Sequence, residues 1–201
     1  MKILLVGHTG ALGKIVHKGL LKSDAKVITA SRNSGDYQID LSKSETIEEM
    51  FKAIGYVDAI VSTTGKVDMS ILSELTPQKN LFGIENKIIA QTNLALIGQH
   101  YLNRSGSITL TTGVIHDEFI QGGISAAMAN GAITSFVKAT SYELEEGKRI
   151  NSVSAYPVKE TWRDYEPYFK GFIPVDDDYV YAQYEKSIYG IMTGQSFTAY
   201  N

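Results

Sequence analysis

The stretch GHTGALG occupies residues 7–13, directly after the apolar residues 3–6 of MKILLV. A short continuous apolar run is typical of a β-strand that is buried on both faces. Apolar residues then recur at helical spacing over residues 12–20. Three glycines therefore fall on the first strand-to-helix turn: Gly7, Gly10 and Gly13.

Each glycine has a distinct expected role if this turn binds a dinucleotide. Gly7 permits the tight turn, Gly10 lets the backbone approach a pyrophosphate, and Gly13 lets the helix pack close to the strand. The helix N-terminus then offers free N–H groups and a partial positive charge to the phosphates. A glycine-rich turn that binds no ligand is the alternative. The residues of the turn assigned to the cofactor are Gly7, Thr9, Gly10, Ala11, Leu12 and Gly13.

Composition excludes several classes of function. The 201 residues include 19 Lys and Arg against 22 Asp and Glu, so nothing resembles the basic surface of a nucleic-acid-binding protein. The absence of Cys excludes disulfides, thiolate zinc sites and a cysteine nucleophile. No apolar run approaches the ~18 residues of a membrane helix. We expect a cytoplasmic protein that binds no metal, no nucleic acid and no membrane.

Short apolar runs alternate with longer amphipathic segments, which predicts an α/β fold. This order gives a Rossmann-type, doubly wound parallel sheet with helices on both faces, in one domain over residues 1–201. Strands are predicted at residues 3–6, 25–30, 57–62, 107–111, 150–156 and 196–200. Helices are predicted at residues 10–21, 46–54 (with Ser44 as N-cap), 84–102, 123–146 and 180–192, whereas residues 72–81 give no clear pattern.

The end of the second strand favours NADP over NAD. An NAD site needs an acid there to hold the ribose 2′-hydroxyl. The sequence instead has Ser31, Arg32 and Asn33, of which Arg32 can pair with a 2′-phosphate and Ser31 can add a hydroxyl donor. A solvated surface arginine is the alternative for Arg32. Asp40 and Leu41 follow, where the adenine edge is expected.

Several further stretches, in their order along the chain, resemble the short-chain dehydrogenase/reductase family. They are Asp40-Leu41, VSTTG (61–65), SITLTTG (107–113), SAAMANGAITSFVKA (125–139), AYPVKET (155–161) and TGQSFTAY (193–200). The resemblance implies NAD(P)-dependent hydride transfer between a cofactor and a small carbonyl or alcohol. It also implies cofactor contacts from the loops that hold Thr63, Thr64, Gly65, Tyr156, Pro157, Val158 and Thr161.

The chain departs from the family at the catalytic residues. The family uses a Tyr as proton donor and a Lys four residues later, and no Tyr-x-x-x-Lys occurs in this sequence. Alignment of the small-residue helix places Ala126 at the Tyr position and Asn130 at the Lys position. The position of the family's Ser falls near Thr112 and Gly113, and its helical Asn maps to Asn86 or Asn93.

Three residues are therefore candidates for the missing chemistry. His116 follows the fourth strand, and a histidine can shuttle a proton near neutral pH. Thr112 can hydrogen-bond a carbonyl, and Asn130 can bond a ribose hydroxyl of the cofactor. Each also has an ordinary structural interpretation, as a loop histidine, a strand-end threonine and a core asparagine.

The aromatic segment 161–181 corresponds to the family's substrate lid and suits an apolar or planar ligand. Family members pair through their two long helices, which implies a homodimer or homotetramer here. Two further hypotheses remain beside the reductase. One is a non-catalytic NADP-binding sensor or regulatory protein, and the other is a nucleotide-sugar or isomerase-type activity that uses tightly held NADP.

Overall fold

The computed structural model describes residues 1–155 and 157–200, and it has the predicted α/β architecture. Seven strands form one sheet: β1 Lys2–Val6, β2 Lys26–Ser31, β3 Tyr37–Gln38, β4 Val57–Ser62, β5 Leu102–Thr111, β6 Arg149–Ala155 and β7 Ser196–Ala199. Their order is β3-β2-β1-β4-β5-β6-β7, and every neighbouring pair is parallel. The order reverses between β1 and β4, where a doubly wound sheet opens its ligand crevice.

The helices cover both faces of this sheet. They are α1 Ala11–Leu20, α2 Ser44–Ile54, α3 Pro77–Gly83, α4 Ala90–Gly98, α5 Ile124–Ser141, α6 Trp162–Tyr165 and α7 Asp177–Tyr189. Alternate residues of β1 point to opposite faces, so Ile3 and Leu5 join the core under α1 and α7. Leu4 and Val6 join the core under α2, α4 and α5.

Three predicted boundaries need correction, and one strand was not predicted. Helix α2 begins at Ser44 itself, with Lys43 as its N-cap residue, so the proposed Ser44 cap is wrong. Helix α5 ends at Ser141, five residues before the predicted end. Strand β5 starts at Leu102, earlier than predicted, and the short strand β3 was missed.

The segment predicted as one long helix, residues 84–102, is broken into three parts. A π-helical segment covers Ile84–Ile89, α4 follows, and a 3₁₀ turn covers Gln99–Tyr101. A π-helical turn within a longer helix is rare and is frequent at functional sites. This one packs against α5.

The aromatic segment after β6 folds over the edge of the crevice. Its two ends are joined by a bridge between Val158 and Val175. Lys159 pairs with Asp176 at the same base, and Lys14 of α1 lies 2.6 Å from a carboxylate oxygen of Glu160. We call residues 158–175 the lid.

Candidate functional site

The glycine turn has the geometry that its sequence predicts. Gly7 has φ +91°, a conformation that glycine adopts without strain. A Cβ on Gly13 would lie 2.1 Å from the carbonyl oxygen of Gly7, so this glycine is needed for close packing within the turn. A Cβ on Gly10 would meet only that oxygen, at 3.7 Å. Gly10 is exposed, and among the described residues no side chain caps the N-terminus of α1.

Two cavities lie along the carboxyl ends of the strands. The glycine-loop cavity, of about 370 Å³, is bounded by the turns after β1, β2 and β4. The residues predicted for the cofactor that line it are Gly7, Thr9, Gly10, Ser31, Arg32, Asn33, Leu41, Thr63, Thr64 and Gly65. Lys66 and Ala90 also line it, although the sequence did not indicate them, and so does Asn86, one of the two candidates for the family's helical asparagine.

The second cavity, of about 480 Å³, lies under the lid, and we call it the lid cavity. The predicted residues that line it are Ala11, Leu12, Gly65, Asn130, Pro157, Val158 and Thr161. Its apolar wall includes Val67, Met69, Phe82, Val114, Tyr165 and Phe169. Gly65 and Lys66 line both cavities, so the two cavities adjoin at the turn after β4.

Arg32 lies at the mouth of the glycine-loop cavity. Its Nη2 donates to Oδ1 of Asn86 at 3.3 Å and lies 3.8 Å from Oδ1 of Asp40. The side chain remains 65% exposed, so the guanidinium is accessible to a ligand.

The carboxylates of Asp36 and Asp40, which follow Arg32 in the sequence, accept hydrogen bonds from other groups. Hydrogen bonds from the hydroxyl and backbone N–H of Ser42 lower the pKa of Asp40. The backbone N–H and hydroxyl of Thr29 likewise lower the pKa of Asp36. Asp40 does not line either cavity, contrary to its predicted place at the adenine edge, because its carboxylate closes the turn with Ser42.

Two of the hydroxyl groups that were predicted to contact the cofactor form hydrogen bonds with the protein's own backbone. The hydroxyl of Ser31 donates to the carbonyl oxygen of Ser34 at 2.7 Å, which closes the turn after β2. The hydroxyl of Thr63 lies 3.0 Å from the carbonyl oxygen of Gly7 and ties the turn after β4 to the glycine turn. These bonds fix the shape of the cavity wall.

Of the candidate catalytic residues, Asn130 lies in the lid cavity. It is 3% exposed, and its Nδ2 donates to the carbonyl oxygen of Gly113 at 3.1 Å. Its Oδ1 is buried with no hydrogen-bond partner among the described residues. A buried acceptor without a donor is costly, so this oxygen is suited to receive a ligand hydroxyl.

Thr112 and His116 do not line the cavity. The hydroxyl of Thr112 donates to the carbonyl oxygen of Val153 at 3.3 Å, on the neighbouring strand. Nδ1 of His116 lies 2.7 Å from the carbonyl oxygen of Gly113, and Nε2 lies 3.2 Å from Oδ2 of Asp117. Both ring nitrogens of His116 are therefore engaged outside the cavity wall.

The remaining predicted residues have varied positions. Gly13 is buried in the turn and does not face either cavity. Tyr156 lies outside the described residues. Of the two helical asparagines, Asn93 donates to the carbonyl oxygen of Leu41 at 3.2 Å, and Asn86 faces the glycine-loop cavity.

Sequence reasoning missed Lys87, which lies in the π-helical segment and lines the lid cavity. Its side chain is only 7% exposed, and burial lowers its pKa to about 8. A signal was present, because Lys87 falls on the same helical face as the buried residues Gln91, Leu94 and Gly98. A lysine on a buried face is rare unless it is paired or functional.

The described part of the chain gives no indication of a metal site or a membrane span. No group of three or more His, Cys, Asp or Glu in it is placed to hold a metal ion. None of its helices is both long and apolar enough to cross a bilayer.

Comparison with known proteins identifies the family to which the chain is similar. The family model described as "Enoyl-(Acyl carrier protein) reductase" matches residues 11–175. The protein "Short-chain dehydrogenase/reductase ATR9" of Stachybotrys chlorohalonatus is 27% identical over 185 residues, which cover 78% of this chain and 73% of that protein.

Two solved structures match over almost their whole length. The protein lin1944 of Listeria innocua is 48% identical, with a TM-score of 0.96 and complete coverage of both chains. A small-chain dehydrogenase in complex with NADPH is 25% identical, with a TM-score of 0.87 and coverage of 98% of this chain and 95% of that one.

Proposed function

The chain belongs to the short-chain dehydrogenase/reductase family, and we propose that it is an NADP-dependent oxidoreductase acting on a small carbonyl or alcohol. The observation that carries this proposal is the cleft formed by the glycine-loop cavity and the lid cavity, which adjoin at Gly65 and Lys66. A dinucleotide is long and needs such a cleft at the topological switch point. We expect the protein to work in the cytoplasm.

The chain's own groups fit a bound dinucleotide. The uncapped N-terminus of α1 and the open face of Gly10 suit a pyrophosphate. The unpartnered Oδ1 of Asn130 would accept a hydrogen bond from a hydroxyl of the nicotinamide ribose. Pro157, Val158 and Thr161 would lie against the nicotinamide. The bound cofactor supplies the hydride.

Arg32 supports the preference for NADP. It is the accessible cation at the end of β2, and Asp36 and Asp40 are already hydrogen-bonded to Thr29 and Ser42. A 2′-phosphate gains a charge-assisted bond from Arg32, whereas no carboxylate among the described residues lines the glycine-loop cavity to hold a ribose 2′-hydroxyl. The NADPH complex of the 25% identical dehydrogenase agrees with this preference.

The lid cavity indicates the substrate class. Aromatic and aliphatic side chains such as Phe82, Tyr165 and Phe169 line it, which suits an apolar, planar carbonyl compound. The protein then orients the substrate beside the nicotinamide and excludes water from it.

A non-catalytic NADP-binding protein is the second candidate, because Ala126 and Asn130 occupy the positions of the family's Tyr and Lys. Such a protein binds NADPH but does not transfer hydride from it to any carbonyl compound. Cofactor binding and turnover must therefore be measured separately.

Calorimetric titration with NADPH and NADH, at one salt concentration, tests the cofactor. We expect wild-type protein to bind NADPH more tightly than NADH. Arg32→Ala should weaken NADPH binding by about 10- to 100-fold, the value of one or two charge-assisted hydrogen bonds, and leave NADH binding unchanged. Arg104→Ala is the matched control, since Arg104 is exposed at the opposite end of the sheet, in the amino-terminal half of β5.

The outcomes separate the alternatives. Failure to bind either dinucleotide contradicts the proposed function. Equal loss of NADPH and NADH affinity in Arg32→Ala contradicts the role of Arg32 in NADP preference. NADPH binding without reduction of any compound in a panel of aldehydes and quinones favours the non-catalytic protein.

A further inference from the structure

We propose that Lys87 is the acid–base residue of this site, which donates the proton to the carbonyl oxygen of the substrate in place of the absent tyrosine. This inference rests on the proposed reductase function. Three observations support it: the position of the lysine, its isolation in a buried environment, and the space that Gly65 leaves for it.

The position of Lys87 is the first observation. It lines the lid cavity together with Ala126 and Asn130, which occupy the positions of the family's Tyr and Lys. The proton-donating function is thus missing from α5, while a titratable group enters the same cavity from the π-helical segment that packs against α5.

The isolation of Lys87 is the second observation. Its ammonium has no hydrogen bond and no carboxylate within 4.0 Å among residues 1–155 and 157–200, and no neighbouring charge contributes to its pKa. A buried lysine without a partner destabilises the fold, so a structural role does not explain it.

The space for the side chain is the third observation. Gly65 has φ +128°, and a Cβ there would lie 2.6 Å from Cγ and 3.0 Å from Cδ of Lys87. The stem of the lysine therefore occupies the volume that a side chain at position 65 would fill. Gly65 lines both cavities, so Lys87 lies where they meet.

The acidity of the buried ammonium suits the task. Burial brings the pKa of Lys87 to about 8, close to the pH at which a general acid works best. Among the residues that the structure describes, the other titratable side chains in the cavity wall are Lys66, which is exposed on the turn after β4, and Tyr165 of the lid. The packed face of α5 contributes Ser125, Ala126, Ala129 and Asn130, none of which titrates.

The step balances in atoms and charge. The carbonyl carbon receives hydride from NADPH, the π electron pair of the C=O bond moves to oxygen, and Nζ of Lys87 gives that oxygen a proton. The neutral amine then takes a proton from water. The sum is a carbonyl compound, NADPH and one proton converted to an alcohol and NADP⁺.

The kinetic test uses phenanthrenequinone and benzaldehyde as probes, with NADPH oxidation as the readout. We expect Lys87→Met to bind NADPH like wild-type protein and to reduce the probe at least ~100-fold more slowly. Wild-type kcat/KM should fall as the pH rises through about 8, since the acid must be protonated, and this fall should disappear in Lys87→Met. Lys138→Met is the control, because Lys138 is exposed and distant from the cavity.

Two further variants separate the possible roles. Lys87→Arg keeps the positive charge, but a guanidinium does not release its proton at these pH values. Full activity in Lys87→Arg therefore overturns proton donation and leaves only charge stabilisation. Tyr165→Phe removes the hydroxyl that competes with Lys87 as proton donor. If kcat/KM of that variant no longer falls at alkaline pH, Tyr165 and not Lys87 donates the proton.

A second readout does not depend on turnover. In protein with isotope-labelled lysine, the NMR signal that disappears in Lys87→Met should titrate below the signals of exposed lysines. A signal that titrates with the others overturns the proposal. Wild-type protein that binds NADPH but reduces neither probe overturns the reductase and the role of Lys87 together. Equal rates in wild type and Lys87→Met overturn the role of Lys87 alone.

Discussion

Gly10 and Gly13 are three residues apart in the same turn, yet the space around them differs. A Cβ on Gly10 lies in ordinary contact distance of one oxygen, whereas a Cβ on Gly13 overlaps the backbone of Gly7 and His8. Of these two glycines, only Gly13 is therefore needed for the fold itself. Gly10 is needed only if a ligand approaches the backbone.

We expect Gly10→Ala to leave the free energy of unfolding unchanged and to weaken NADPH binding at least ~10-fold, because its methyl group projects toward the cofactor phosphates. Gly13→Ala should instead lower the free energy of unfolding by about 3 kcal/mol. Urea denaturation and calorimetry on the same samples measure both quantities. Normal NADPH binding in Gly10→Ala contradicts the phosphate site.

Lys87 makes stability depend on pH. Its pKa falls from an ordinary 10.5 to about 8 on folding, which corresponds to about 3 kcal/mol. The unfolded chain holds this proton more tightly, so the penalty is fully present below pH 8 and disappears as the pH rises toward 10.5.

Lys87→Met should therefore stabilise the protein by up to about 3 kcal/mol at neutral pH, because it removes the buried charge and keeps the packing. The gain over wild type should shrink between pH 8 and pH 10.5. Urea denaturation at a series of pH values measures it. A gain that does not change with pH comes from packing alone and contradicts a desolvated ammonium.

At the scale of elements, the sequence predicts what is determined locally. Strand β4 has the predicted bounds, because a short apolar run bounded by turn residues fits few secondary structures other than a buried strand. The π-helical segment is not predictable, since its residues 84–89 fit an α-helix equally well. The place of Lys87 in the site depends on that segment, so it could not be predicted from strand ends and turns.

Helices α1 and α7 pack side by side through Gly19. A Cβ on Gly19 would lie 2.3 Å from Cδ2 and Cε2 of Tyr181. We expect Gly19→Ala to lower the free energy of unfolding by about 1–3 kcal/mol, because the tyrosine ring must leave its position. Thermal or urea denaturation measures this loss.

A variant of Tyr181, the residue that contacts Gly19, supplies the control. In Gly19→Ala combined with Tyr181→Ala the ring is absent, so the added methyl group should cost much less than in the wild-type background. An equal cost in both backgrounds shows that the methyl group acts on the helix and not on the contact with α7.

At the scale of the whole molecule, the residues that line the glycine-loop cavity are the easier part to predict. In a parallel doubly wound sheet, every strand ends at the same edge, so the residues after β1, β2, β4 and β6 converge wherever the topology is right. His116 follows β5 as well, but its ring binds Gly113 and Asp117 beside the cavity. The position of a residue after a strand predicts that it lies at the carboxyl-terminal edge of the sheet. The direction of its side chain then determines whether it lines the cleft.

Self-association through α4 and α5 remains a prediction of the family resemblance. Leu96 of α4 is 49% exposed and Met128 of α5 is 40% exposed, so both helices present apolar side chains outward. We expect light scattering to give the mass of two or four chains. Leu96→Asp combined with Met128→Asp should reduce it to the mass of one chain, and a single-chain mass in the wild type contradicts the prediction.

The π-helical segment is equivalent to an α-helix that has gained one residue. Deletion of a residue such as Ile88 would restore a regular α-helix and turn everything upstream by about 100° relative to α4. Lys87 would then leave the neighbourhood of Gly65, while the sheet and the glycine turn stay in place. One extra residue in this helix is therefore enough to bring a lysine into the cleft of this fold.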